Sequence, residues 1–261
     1  MTKLAHALAK ASVLVGATVV LGAGPASAAY VTFFGEDANN SATVPLASTP
    51  TSTAKSAQFQ SSLIGVGTED FEGIATGTGA PLGLTFPGAG TATLSGGSGV
   101  VASVTAGTTN GAGRYSVPSP SSSNFWEVSA GGTGNFVVTF STAVAAFGFW
   151  GIDIGDFGGQ LELELRNGAT VLDTLTVPNT IGSNGSTDGS VLFFGLIGQN
   201  AGDVFDSIAF NTTTGQGDIF AFDLMTVGSL EQVRQTPEPA SLALLGVALA
   251  GLGALRRRKS S

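Results

Sequence analysis

The sequence predicts an all-β fold, an antiparallel β-sandwich, set between an N-terminal signal helix and a C-terminal transmembrane helix. Three observations predict it. Leu161-Glu162-Leu163-Glu164-Leu165-Arg166 alternates apolar and charged residues at the period of a half-buried strand. Short runs rich in Phe, Val and Ile recur at roughly ten- to fifteen-residue spacing, bounded by Gly, Asn, Asp or Ser. Two longer apolar runs without a charged residue, Ala11 to Ala23 and Ala240 to Leu255, stand near the two ends.

Taken in order, Lys3 and Lys10 give a positive start to the first apolar run, Pro25 breaks it, and Ala26-Ser27-Ala28 fits the small-residue cleavage rule. Residues 1–28 are therefore expected to be a signal peptide, cleaved before Ala29. Residues 29–64 form a variable lead-in, and 35–58, rich in Ala, Ser and Thr, read as loop-like. The sandwich is expected over 65–228. Its first half offers short strands at Phe71 to Ile74, Leu84 to Phe86, Thr91 to Leu94, Val100 to Thr105, Arg114 to Val117 and Phe125 to Ser129. Residues 118–124, Pro-Ser-Pro-Ser-Ser-Ser-Asn, read as a loop. The second half is stronger, with strands at Phe136 to Phe140, Ala145 to Ile154, Leu161 to Arg166, Thr170 to Val177, Val191 to Ile197, Ser207 to Asn211 and Ile219 to Val227. Asn167-Gly168 is a hairpin signal between two of them. Residues 229–236 read as a tether, and 237–261 as a membrane-directed segment.

That last segment opens with Pro237-Glu238-Pro239, which lacks two backbone donors and resists helix formation. The apolar run that follows would be about 24 Å long as a helix, short of a hydrocarbon core of roughly 30 Å, a mismatch that a thinned bilayer absorbs. Arg256-Arg257-Arg258-Lys259 would hold its far end in the cytoplasm.

Composition excludes much chemistry. The exported region, 29–236, carries four cations (Lys55, Arg114, Arg166 and Arg234) against seventeen carboxylates, a net charge of −13. That field repels nucleic acid and anionic membrane surfaces. There is no cysteine, and the single histidine, His6, lies in the signal segment. Thiolate nucleophiles, imidazole acid–base catalysis and the usual transition-metal sites are absent from the mature chain. Carboxylate chemistry and oxygen ligation of hard cations remain.

Pro237-Glu238-Pro239-Ala240-Ser241-Leu242-Ala243-Leu244-Leu245-Gly246, with Gly251-Leu252-Gly253 and the basic cluster, resembles a PEP-CTERM sorting signal. The resemblance implies export across the inner membrane, membrane anchoring through the C-terminal helix, and transient processing by exosortase, a membrane-embedded cysteine transpeptidase. Release to the cell surface or extracellular space follows, in a setting of exopolysaccharide production. A second, looser resemblance runs over about 65–228. Phe140 to Phe149, Asp153, the leucine strand, Phe193-Phe194-Gly195 and Asp218 to Asp223 are similar to exported jelly-roll, lectin-like sandwiches.

In such modules the first and last strands lie side by side and share calcium. The resemblance thus nominates Glu69, Glu72, Asp218 and Asp223 as hard oxygen ligands, with calcium the one cofactor the pattern points to. Asp153 and Asp156, around Gly155, form a second acidic turn. Trp126 and Trp150 are the candidate sugar-stacking rings, with Tyr30 and Tyr115 behind them. Alternation places Trp150 on the face opposite Phe147 and Phe149. The expected function is an exported, exosortase-sorted surface or matrix protein without enzymatic activity, its sandwich a candidate glycan binder. The alternative is a carbohydrate-active hydrolase using paired carboxylates.

Overall fold

The computed structural model describes residues 30–132, 134–183 and 186–234. The expected signal segment lies outside them. So do Pro237, Glu238 and Pro239, the apolar run, and Arg256 to Lys259. Among the described residues no helix is long and apolar enough to cross a membrane.

Two antiparallel sheets pack face to face. In chain order the strands are β1 (Tyr30–Asp37), β2 (Gly67–Glu69), β3 (Leu82–Phe86), β4 (Gly90–Ser95), β5 (Val100–Ser103), β6 (Asn124–Ala130) and β7 (Phe136–Val144). They continue with β8 (Ala146–Ile152), β9 (Leu161–Asn167), β10 (Thr170–Thr176), β11 (Val191–Gly198), β12 (Phe205–Thr212) and β13 (Asp218–Gly228). One helix, α1 (Pro50–Ser61), joins them. The seven-stranded sheet runs β1-β11-β8-β13-β6-β5, with β2 also on β13; the six-stranded sheet runs β10-β9-β12-β7-β4-β3. Strands from both sides of the 118–124 loop share each sheet.

Between the sheets lies an aromatic core. Phe149 stacks on Phe222 with ring centres 5.1 Å apart, and Phe136 meets Phe210 at 4.5 Å. Strand β9 alternates as its sequence dictates: Leu161, Leu163 and Leu165 are buried, while Glu162, Glu164 and Arg166 face outward. Strands β8 and β11 are buried at every position. Their second face supports another core, where Phe59, Tyr115, Phe125, Trp150 and Phe193 pack beneath α1 and its neighbouring loops. Trp150 does lie opposite Phe147 and Phe149, which belong to the inter-sheet core.

The lead-in is not loop-like. Strand β1 zips onto β11 from Tyr30↔Gly198 to Asp37↔Val191. Helix α1 then lies across this face. Its sequence is nearly all polar, which hid it, and it is held at two points instead of along a stripe. The Asp37 carboxylate accepts the Thr51 and Ser52 amides at 3.0 and 2.8 Å, satisfying two donors that the helix itself leaves open. At the other end Phe59 enters a notch made by Gly148 and Gly195, which are cross-strand partners. A Cβ on either would come within 2.8 Å of the Phe59 ring.

Two expected strands are not strands. Phe71 has φ +59° and its amide bonds Glu69 Oε1, so Glu69 to Glu72 folds back on itself. Arg114 to Val117 is irregular, drawn from any ladder by its side-chain partners. The expected tether is also partly folded. Leu230–Gln232 form a 3-10 turn, and Val233, 5% exposed, bridges to Leu63.

Both ends of the described chain leave from one end of the sandwich. Tyr30 pairs with Gly198, whose amide bonds Ala145, and Ala146 pairs with Gly228. The opposite end carries Asp37, Val191, Ile152 and Asp218, and the loops that follow or precede them.

Candidate functional site

That loop-bearing end gathers two buried carboxylates around an arginine. Its centre is Arg114, on the 104–123 segment. Asn110 Oδ1 accepts the Ala112 and Arg114 amides, and Gly113, at φ +84°, brings the backbone against Asp153 and Gly189. The guanidinium then spans three elements. Its Nε pairs with Glu127 Oε2 of β6 at 2.8 Å. Its Nη1 pairs with Asp153 Oδ2, just past β8, at 3.0 Å and donates to the Ile219 carbonyl of β13 at 3.2 Å. Asn110 Nδ2 donates to the same Glu127 oxygen.

Asp153 is 3% exposed, sits at φ +70°, and leaves Oδ1 buried without a hydrogen-bond partner. Burial pushes its pKa up to about 8; Arg114 opposes that, while Asp188, Asp156 and Asp218 add to it. Asp218, the first residue of β13, is also buried, and its Oδ2 accepts the Gly155 amide at 3.3 Å. Burial and then Asp156 raise it to about 7, against the Gly155 amide and Arg114. Gly155, at φ +119°, is required here, because a Cβ would strike the Thr180 carbonyl at 2.2 Å. The cluster can therefore hold protons near neutral pH. A shallow groove of about 310 Å³ lies beside it, lined by Ser98, Glu127, Ser129 and Ile219 among others.

The expected calcium ligands are not brought together. Strand β2 does pair with β13, Glu69 opposite Met225. Glu72, however, accepts the Ser123 and Asn124 amides at 2.7 Å each. Asp223 is fully buried, its Oδ2 taken by Ser116 and the Val117 amide and its Oδ1 by the Leu224 amide. Asp218 stands five residues away along an extended strand, about 16 Å distant. Among the described residues no three acidic side chains converge as a metal site.

The stacking candidates are interior as well. Trp126 is fully buried and stacks on Phe71, and Trp150 is 7% exposed against Phe193. Tyr115 is buried, its hydroxyl between Leu46 and Gly189, and Tyr30 donates to the Asp203 carbonyl. Trp126, Trp150 and Tyr115 present no free ring face, and Tyr30 is partly buried. The acidic turn Asp153 to Asp156 was legible in the sequence; Arg114 and Glu127 were not. Their only signal was that Arg114 is one of four cations in an acidic region.

Comparison with known proteins adds the following. No curated protein matches the chain. Several solved structures are loosely similar, and two of them serve as examples. The K2 cleaved adhesin domain of Lys-gingipain is 14% identical, covering 62% of this chain and 97% of its own, at a TM-score of 0.34. A Stig cyclase from Fischerella sp. TAU is 16% identical, covering 63% and 85%, at 0.31. Likenesses this loose fix neither fold nor activity. A family model does match at the C-terminus: residues 235–259 fit the PEP-CTERM protein-sorting motif, spanning Pro237-Glu238-Pro239 and the basic cluster through Lys259. The chain carries the PEP-CTERM sorting signal that marks an exported exosortase substrate.

Proposed function

We propose that this is a non-enzymatic protein of the cell surface or extracellular matrix, exported through its signal peptide and delivered by exosortase, with the sandwich as its working part. One observation carries the proposal. The sorting motif begins at residue 235, directly after a folded sandwich whose described ends both lie at one end. Anchoring there turns the opposite end, with Arg114, Asp153 and the long loops, toward the surroundings. The exopolysaccharide of that environment is the neighbour those loops would meet.

The hydrolase alternative would draw on Asp153 and Asp218, whose raised pKa values suit an acid. Their enclosure weighs against it, since a glycoside must reach both carboxylates. The test of sorting replaces Pro237-Glu238-Pro239 with alanines. Export should continue, while the full-length form accumulates in the membrane and surface protease shaving no longer releases the sandwich. Unchanged processing of that variant would refute the proposal. Release of reducing sugar from a matrix polysaccharide, lost in Asp153→Asn, would favour the hydrolase instead.

A further inference from the structure

The C-terminal segment of the sandwich is fastened down just before the sorting motif. The Ile64 amide donates to the Gln232 carbonyl at 2.8 Å, and the Arg234 amide to the Ser62 carbonyl at 2.9 Å. Gln232 Nε2 donates to the Gly65 and Pro87 carbonyls at 2.8 and 3.0 Å, while its Oε1 accepts the Ser229 amide. Val233 is buried beside Leu63. Pro237 follows Arg234 by three residues, so the motif starts within about 11 Å of this clamp. The apolar run begins only three residues later, at Ala240.

A transpeptidase must take an extended stretch of substrate on both sides of the bond it cuts. The residues that would supply the N-terminal side are those tied to 62–65 and Pro87. We propose that residues 229–234 are a clamp that determines access to the sorting motif, and that exosortase acts on the form in which Gln232, Val233 and Arg234 have come away from the sandwich. Undocking of Gln232 to Arg234 adds three residues of reach, about 10 Å, between the domain and the motif. The clamp suits such a role. It is one isolated bridge with a few hydrogen bonds, beside a strand β13 that is paired on both sides. This inference rests on the sorting reading above.

The geometry supplies its own lock. With 64 N bonded to 232 O and 234 N to 62 O, Leu63 and Val233 form a non-hydrogen-bonded antiparallel pair, the kind whose Cα atoms approach to about 4.5 Å. That falls within disulfide range, and the chain has no cysteine of its own to compete. In full-length protein expressed with its exosortase, the oxidised Leu63→Cys/Val233→Cys variant should lose processing. Reductant should restore it, and each single cysteine variant should be processed normally. A Gly-Ser spacer of about six residues between Arg234 and Gln235 should restore processing even when the pair is oxidised. Wild-type processing of the oxidised pair would overturn the clamp, and so would failure of the spacer to rescue it. If the alanine variant of 237–239 is processed like the wild type, the sorting reading itself has failed, which is a different result from either.

Discussion

The two sheets of the sandwich have different neighbours. The six-stranded sheet has one dry face and one wet face. The seven-stranded sheet is dry on both over β8 and β11, because α1 and the adjoining loops cover its outer side. The difference is written in the residues. Strand β9 needs every second residue to be apolar and lets Glu162 and Glu164 meet water. Strand β11, Val-Leu-Phe-Phe-Gly-Leu-Ile-Gly, has no residue to spare for solvent, and its glycine at 195 exists to admit Phe59 from outside. A β-strand records how many of its faces are covered as well as where it runs.

The sharpest way to break this comparison is to place a charge at adjacent positions of one strand from each sheet. Phe193→Asp and Phe194→Asp should both destabilise by more than about 4 kcal/mol in urea titration, since each buries an unpaired carboxylate. Leu163→Asp should do the same, while Glu162→Lys beside it should not. Tolerance of Asp at 193 would mean that the outer cover is loose. Next in size is the cover itself: Phe59→Ala should cost about 3–5 kcal/mol by emptying the notch over Gly148 and Gly195.

The covered face should also respond to pH through the acid pair at its loop end. Asp153 and Asp218 have folded pKa values raised to about 8 and about 7, from 3.8. Between pH 4 and 8 the folded state therefore holds more protons than the unfolded one, and stability falls as pH rises through that window. Asp37 and Glu72 act oppositely. Burial raises each, but amide hydrogen bonds outweigh it and lower both pKa values, so their contribution is lost on acidification. Melting temperature should peak in mildly acidic solution and decline toward pH 8.5. Asp153→Asn should flatten the alkaline limb; an unchanged limb would remove Asp153 from the account. The smallest effect belongs to the wet face. Glu164→Lys loses the partly exposed pair with Arg166 and should shift stability by less than about 0.5 kcal/mol.

What could be read from the sequence follows the same division. Strand β9 was plain because solvent stands on one side of it, and β8 and β11 were plain as apolar runs between turn residues. Helix α1 was not, because its anchors are a carboxylate on β1 and a glycine pair on β8 and β11, none of them within the helix. Trp126 and Trp150 misled for a related reason. A polar loop before Trp126 suggested a surface, yet the loop folds back while the ring turns inward onto Phe71. Of the loop-end cluster, Asp153, Gly155 and Asp156 announced a turn. The ties from Arg114 to Asp153, 39 residues on, and to the Ile219 carbonyl, 105 residues on, leave no local trace.

One consequence follows from the chain leaving and entering at a single end while the long loops crown the other. Anything gripping those loops and pulling against the C-terminal attachment would draw along the axis of β13. That strand is eleven residues long and paired on both flanks. The hydrogen bonds joining β13 to β8 and β6 would then be strained together in shear, instead of parting one after another as a peeled edge does. Tension applied along that axis would be met by two ladders at once.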